Sequence, residues 1–285
     1  TLLTAVVEEK DVTRAFSADS ILTELVWLAA PGLVVLLALQ VGPGVPMAVC
    51  AVCLIVGAAM VFTLRSAKAA EKDAEEGGER APRAVVLSGW PIYVTSAAAM
   101  SLMAVSELVL APLLQYRDLP VGLAGVLLMV FAGLSATGAF VYGLRTWPGT
   151  ARTHSLLCLV GTAAGVTVVA VVPGLVGIVL GFLTAGVLQA VVMVTRNLAL
   201  REVLPSNAHT AGYSVMYAVQ GIGYSLSAVF AAAMLDWSTP TAAILTGVAF
   251  TLVLTAVSTL AERRAQPAAA PHPVEKQRET SESSP

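Results

Sequence analysis

One hydrophilic interruption constrains this chain more than any other feature: residues 65–83, RSAKAAEKDAEEGGERAPR. Between residues 20 and 262 the remainder is apolar apart from short turns, with two long apolar segments before the charged run and six after it. Apolar runs of about 18 residues or more read as membrane-crossing helices, because roughly 20 residues at a rise of about 1.5 Å traverse a hydrocarbon layer about 30 Å thick. A helix satisfies its own backbone donors and acceptors, which lipid cannot do. The alternating pattern of a membrane β-barrel is absent. Composition agrees: 57% of residues are hydrophobic and 12% charged, against about 25% charged in soluble domains. The fold class expected is an all-α membrane protein, a polytopic bundle of eight transmembrane helices arranged as two plus six.

Residues 1–19 carry Glu8, Glu9, Lys10, Asp11 and Arg14 and read as a cytoplasmic surface segment. Two transmembrane helices, about 21–40 and 45–64, make the unit 20–64. Pro31-Gly32 is expected to kink the first of them. Residues 65–88 form a charged cytoplasmic linker in which Lys68, Lys72 and Arg80 alternate with Glu71, Asp73, Glu75, Glu76 and Glu79. The linker has no net basic face, so nothing in it points to a nucleic-acid partner. Six spans, about 89–115, 121–142, 154–172, 174–197, 208–235 and 240–261, make a carboxy-terminal domain over 89–262. The tail 263–285 is rich in Pro, Glu and Ser and is expected to be disordered.

Loop charge tests this span count. Cytoplasmic loops hold the Lys and Arg of a membrane protein, and an even number of spans places both ends on one side. With both ends inside, Arg117 alone among the 16 basic residues falls outside. An error in the number of spans would scramble that pattern. The localisation expected is a plasma or bacterial inner membrane, multi-pass, with both termini cytoplasmic. Cys50, Cys53 and Cys158 all fall in predicted spans. Cys50-Ala-Val-Cys53 has a C-x-x-C spacing, but thiol chemistry needs an accessible thiolate and a metal needs further ligands, so apolar packing is the expected role.

Two spans, a long charged linker and six spans resemble the major facilitator superfamily, whose twelve helices form two six-helix halves joined by such a linker. Residues 14–33 (RAFSADSILTELVWLAAPGL) are similar to the start of helix five in bacterial members, and residues 213–226 (YSVMYAVQGIGYSL) to helix eleven. On this resemblance the chain begins at helix five, and four preceding helices are expected in a longer protein. The family's cytoplasmic loop motif has a second copy between helices eight and nine. Gly143-Leu144-Arg145 and 149–152, ending in Arg152, stand where that copy would be, without its aspartate. Ala30-Pro31-Gly32 is all that this chain offers of the antiporter motif of helix five. The resemblance implies that helices seven and ten line a central cavity, eight and eleven flank it, and six, nine and twelve face outward. The three outer candidates, 45–64, 154–172 and 240–261, hold only apolar residues and small hydroxyls apart from His154.

Glu107 is the sharpest candidate residue. A carboxylate near the bilayer centre costs at least about 2.5 kcal/mol to insert, so it stands there for a partner or a function. Its helical face also holds Tyr93, Ser96, Met100, Met103 and Leu110. A carboxyl group flanked by adaptable methionines suits a cationic or amphipathic ligand, and such a group is a candidate proton carrier. The other reading is a carboxyl in a wet vestibule or hydrogen-bonded to a neighbouring helix. Tyr213, Tyr217, Gln220, Tyr224 and Ser227 recur at helical spacing and form one polar-aromatic stripe. That stripe either lines a substrate path or ties helices together. Phe182, Gly186, Gln189, Met193 and Arg196 share a face of the fourth helix after the linker. Gln189 is expected to reach the cavity, whereas Arg196 is expected to snorkel or cap at the helix end. Glu24 is a candidate inside gate or a headgroup-level residue. Gly161-x-x-x-Gly165 reads as close helix packing.

The three histidines, His154, His209 and His272, lie far apart in sequence, no P-loop occurs, and neither an enzyme nor an ATP-driven pump is indicated. The function expected is secondary active transport of a small amphipathic or cationic molecule, as proton-coupled efflux. The partners expected are the lipid bilayer, the transported molecule and protons; no cofactor, metal or obligate protein partner is indicated. The alternatives are a metabolite or sugar uptake permease of the same superfamily, or a truncated membrane scaffold that transports nothing.

Overall fold

The computed structural model describes residues 11–42, 44–63 and 82–265, and the side chains of most of them. Residues 1–10, most of the charged linker and the tail from 266 lie outside the described residues, as does the side chain of Glu24. The elements are α1 (Val12–Gln40), α2 (Val45–Thr63), the short α3 (Arg83–Leu87), α4 (Trp90–Tyr116), α5 (Leu123–Leu144), α6 (Ala151–Val171), α7 (Gly174–Val203), α8 (His209–Trp237) and α9 (Pro240–Ala265). A 3-10 turn, Ser206–Ala208, leads into α8. Among the described residues no strand occurs. Six helices, α4 to α9, are long and apolar enough to cross a membrane. This is a multi-pass helical bundle. α1 and α2 are helices at the first two predicted spans, and the described apolar stretch of α2, Val45–Met60, is shorter than the other six.

The boundaries follow from local chemistry. Thr150 caps α6 by accepting from the Thr153 backbone N–H at 3.3 Å. Thr239 does the same for α9, taking the Ala242 N–H at 3.2 Å, with Pro240 as the first helical residue. At the opposite end of α6, Arg117 donates to the carbonyls of Ala170 (2.7 Å) and Val172 (3.0 Å). These are the orphan acceptors of a helix C-terminus, where a cation is also favoured by the helix dipole. The one basic residue expected outside thus serves as a clamp on α6. α4 ends through Asp118, which takes a left-handed φ of 54°, while Leu119 N–H reaches back to the Leu114 carbonyl at 2.9 Å.

Three elements run further than the sequence suggests. α1 starts at Val12 rather than near residue 20, because Val12 and Phe16, one turn apart, are both buried. α7 continues to Val203 and α9 to Ala265, so three residues assigned to the tail are helical. Residues 198–203 and 262–265 consist largely of Leu, Ala, Arg and Glu, good helix formers that extend a helix already nucleated. α1 runs as one helix through Pro31-Gly32.

α4 is the central rod: it packs on α8 and α9 and also touches α5, α6 and α7. α6 pairs with α7, α7 with α5, and α5 with α1. Side chains build two apolar layers. One gathers Leu102, Leu110 and Leu113 of α4 with Leu159, Phe182 and Ile244. The other lies toward the end carrying Arg14, Arg145 and Arg201, hereafter the basic end, and gathers Phe16, Tyr93, Tyr142, Leu200 and Tyr213. Close approach depends on small residues. Gly161 and Gly165 face Leu188, Ala185 and the Gly181 carbonyl, so the small-residue spacing read from the sequence is a packing seam. Gly138 abuts the Val187 carbonyl where α5 crosses α7. Gly138→Ala is therefore expected to lower stability by about 1–3 kcal/mol through overpacking. Thermal unfolding of the purified protein measures this, with Gly125→Ala, whose added methyl meets open space, leaving the midpoint nearly unchanged.

Candidate functional site

Glu107 lies 17 residues along α4 from Trp90, or roughly 25 Å from the basic end. Its side chain is half-buried, and the Tyr224 hydroxyl of α8 donates to its carboxylate oxygen Oε2 at 2.9 Å. Nearly two turns closer to the basic end, Ser101 donates to the Gly223 carbonyl at 3.1 Å, and the Gly223 Cα sits where any side chain would strike Ala97. The α4–α8 seam is therefore tight just below the acid and holds it at fixed height. This pair joins two sequence candidates that are 117 residues apart.

Other candidates converge on neighbouring seams. Met103 is buried, Met100 half-buried, and the Gln189 amide of α7 donates to the Met103 sulfur at 3.6 Å. Gln189 is only 1% exposed, so it faces the α4–α7 seam rather than open space, and its Oε1 has no partner among the described residues. Gln220 is buried as well, its Nε2 4.0 Å from the Met193 sulfur. Tyr213 is buried; its hydroxyl donates to the Asn197 carbonyl at 3.0 Å and its ring lies 6.0 Å from Phe16. Tyr217 is about half exposed and stands beside Asn197 and Asp19. The stripe on α8 thus divides: Tyr213, Gln220 and Ser227 are buried in contacts between helices, whereas Tyr217 stays open.

Arg196 departs most from expectation. It does not snorkel: it is fully buried, and its guanidinium donates to Thr95 of α4 and to Ser155 of α6. The reason is the length of α7, which continues about two turns beyond Arg196 and so keeps it inside the bundle. The Leu198-Ala199-Leu200 run after Asn197 was the signal that the helix had not ended.

The loop candidates sit at the basic end, away from Glu107. Gly143 is a contact glycine pressed on Ser17 of α1. Arg145 is exposed, its guanidinium 5.6 Å from the centre of the Trp147 ring, and Arg152 is half-buried in the first turn of α6. For Glu24 only the backbone, within α1, is described. Cys50 and Cys53 are exposed on α2 rather than packed, since among the described residues α2 packs chiefly on α1. Cys158 is half-buried against both apolar layers.

Sequence reasoning missed the elbow between α5 and α6. The Tyr142 hydroxyl and His154 Nδ1 are 3.0 Å apart, and His154 Nε2 is 2.9 Å from the Pro148 carbonyl. Trp147 donates from its indole N–H to the Tyr142 carbonyl at 3.2 Å and stacks on the Tyr142 ring at 6.0 Å between centroids. The only signal was the density of Tyr, Trp and His within residues 142–154. A cavity of about 450 Å³ lies there, next to an apolar slot of about 310 Å³ that shares Tyr142, Trp147 and His154 with it. A third cavity, about 630 Å³, lies by Arg117 at the opposite end. None of these three is lined by Glu107. Among the described residues no three His, Cys, Asp or Glu side chains group as metal ligands.

Compared with protein-family models, curated proteins and solved structures, the chain matches none. Glu107→Gln keeps an acceptor for Tyr224 and is expected to fold like the parent. Tyr224→Phe removes the donor and is expected to lose about 0.5–1.5 kcal/mol, read by thermal unfolding of the purified protein.

Proposed function

We propose that this chain is part of a secondary active transporter of a small amphipathic or cationic molecule, coupled to protons and working as an exporter. The observation that carries the reading is the Glu107–Tyr224 pair, an acid–phenol contact inside the apolar bundle at the seam between α4 and α8. A carboxyl group in that setting is retained for a partner or a task. Its Tyr224 partner is a hydroxyl and not a cation, so protonating the carboxyl breaks no ion pair with it and leaves the two oxygens able to hydrogen-bond. Proton exchange at this site therefore asks little rearrangement of the seam, which suits a carrier that loads and unloads on each cycle.

On this reading the chain corresponds to helices five to twelve of a major facilitator protein, in a bacterial inner membrane, with eight spans and both termini cytoplasmic. Support comes from the two-plus-six arrangement around the linker and from the packing of α1 on α5 and α7. Alternating access then rocks one half against the other about a midplane site. A scaffold that transports nothing would tolerate loss of the Glu107 charge, and this separates the two readings.

Glu107→Gln, made in the full-length protein and reconstituted in vesicles, is expected to abolish flux driven by an imposed pH gradient while expression is unchanged. Unaltered flux removes Glu107 from the mechanism. For topology, single cysteines at Arg83 and Arg152 on a cysteine-free background are expected to react with a membrane-impermeant maleimide only after the cells are opened, and one at Arg117 in intact cells; the reverse pattern overturns the orientation.

A further inference from the structure

Two cavities meet at the α5–α6 elbow, and Tyr142, Trp147 and His154 border both of them. The larger opens at the basic end, with Asp11, Arg14, Arg145 and Glu202 on its walls. The smaller runs away from that end between α5 and α6, floored by α7, and exposes only apolar atoms. Its walls are Val141, Leu157, Cys158, Val187 and Leu188, all within helices long enough to cross a membrane. The polar atoms of Tyr142 and His154 are turned to each other, so these rings present carbon to the slot.

We propose that this elbow binds one membrane phospholipid, with an acyl chain in the slot and the phosphate on Arg145. Charge and shape select that occupant. Arg14 is held by Asp11 at 3.2 Å. Arg145 is exposed at the mouth, has no carboxylate within ion-pair distance among the described residues, and is steadied over the Trp147 ring. A cation at headgroup level above an apolar slot at chain depth matches a lipid phosphate and its tail; basic sites between membrane helices on the cytoplasmic side take lipid headgroups, and Trp favours that level. A single turn of another helix, about 5.4 Å long and about 10 Å across with its side chains, occupies about 420 Å³, more than the slot's volume of about 310 Å³. A water-soluble phosphate compound leaves the slot unfilled.

The test is native mass spectrometry of the purified full chain in detergent with phosphatidylglycerol, set against diacylglycerol of the same acyl chains. One phosphatidylglycerol per chain is expected to survive detergent stripping, and diacylglycerol is not. Arg145→Ala is expected to weaken retention about fivefold. Leu157→Trp, at a lipid-facing position that is 67% exposed, fills the slot and is expected to abolish retention; Leu226→Trp, equally exposed on α8, keeps it. Equal retention of diacylglycerol, or undiminished retention by Leu157→Trp, overturns the proposal. A phospholipid carrying a photoreactive diazirine in its chain checks the unmodified protein: adducts concentrated in 137–158 and 187–191 support the site, and adducts spread over every lipid-facing helix refute it.

Discussion

Hydrocarbon offers no hydrogen bonds, and that constraint orders this bundle. Each polar side chain within the apolar helices has to find its partner on its own helix or on a neighbour. Many hydroxyls take the first route and bond back one turn, as Thr162 does to the Cys158 carbonyl at 2.8 Å. Those that take the second route determine which helices meet. Arg196 is the strongest case, because a buried guanidinium left unpaired would be far more costly than any hydroxyl. Its bonds to Thr95 and Ser155 hold α4, α6 and α7 in one relation. Ser258 donates to the Pro91 carbonyl at 2.6 Å, and Thr251 to the Ala98 carbonyl at 3.3 Å, which together fix α9 against α4.

These bonds make α4 the common member of the seams, and their partners change along its length. Near the basic end it is pinned by Tyr93 to Val86 (2.8 Å), and by Arg196 through Thr95. Further along, small residues admit α8 closely, and Glu107 follows, hydrogen-bonded to Tyr224 of that helix. The acid thus adds a hydrogen bond to a seam that Ser101 and Gly223 already draw close. The elbow at the basic end is held by its own contacts: Tyr142 pairs with His154, Trp147 donates to the Tyr142 carbonyl, and His154 Nε2 meets the Pro148 carbonyl.

Much of this was legible beforehand. The six helices after the linker were visible as apolar runs, and the small-residue spacing of Gly161 and Gly165 announced close packing that the α6–α7 seam contains. Glu107 and Tyr224 both stood out singly, as an improbable charge and as a member of a periodic stripe. Their pairing was not legible, since helical periodicity assigns a residue to a face but not that face to a neighbour. Arg196 was misread for the same kind of reason: a charge near a predicted end looks like an interfacial residue until the helix is seen to continue. His154 offered even less, because its partners Tyr142 and Pro148 lie across a turn whose path composition does not reveal.

By itself the amino-acid sequence determined that this chain must be helical and must lie in a membrane. Apolar length and backbone self-satisfaction are local properties, and they leave no other outcome for runs of this kind. Only the tertiary structure decided which polar groups meet: Arg196 with two hydroxyls, Gln189 with a methionine, Glu107 with a tyrosine. Those choices depend on the rotation and depth of each helix, set by where glycines such as Gly138 and Gly165 permit backbones to touch. Shape complementarity between distant segments is a property of their assembly in space, and no single stretch of residues encodes it.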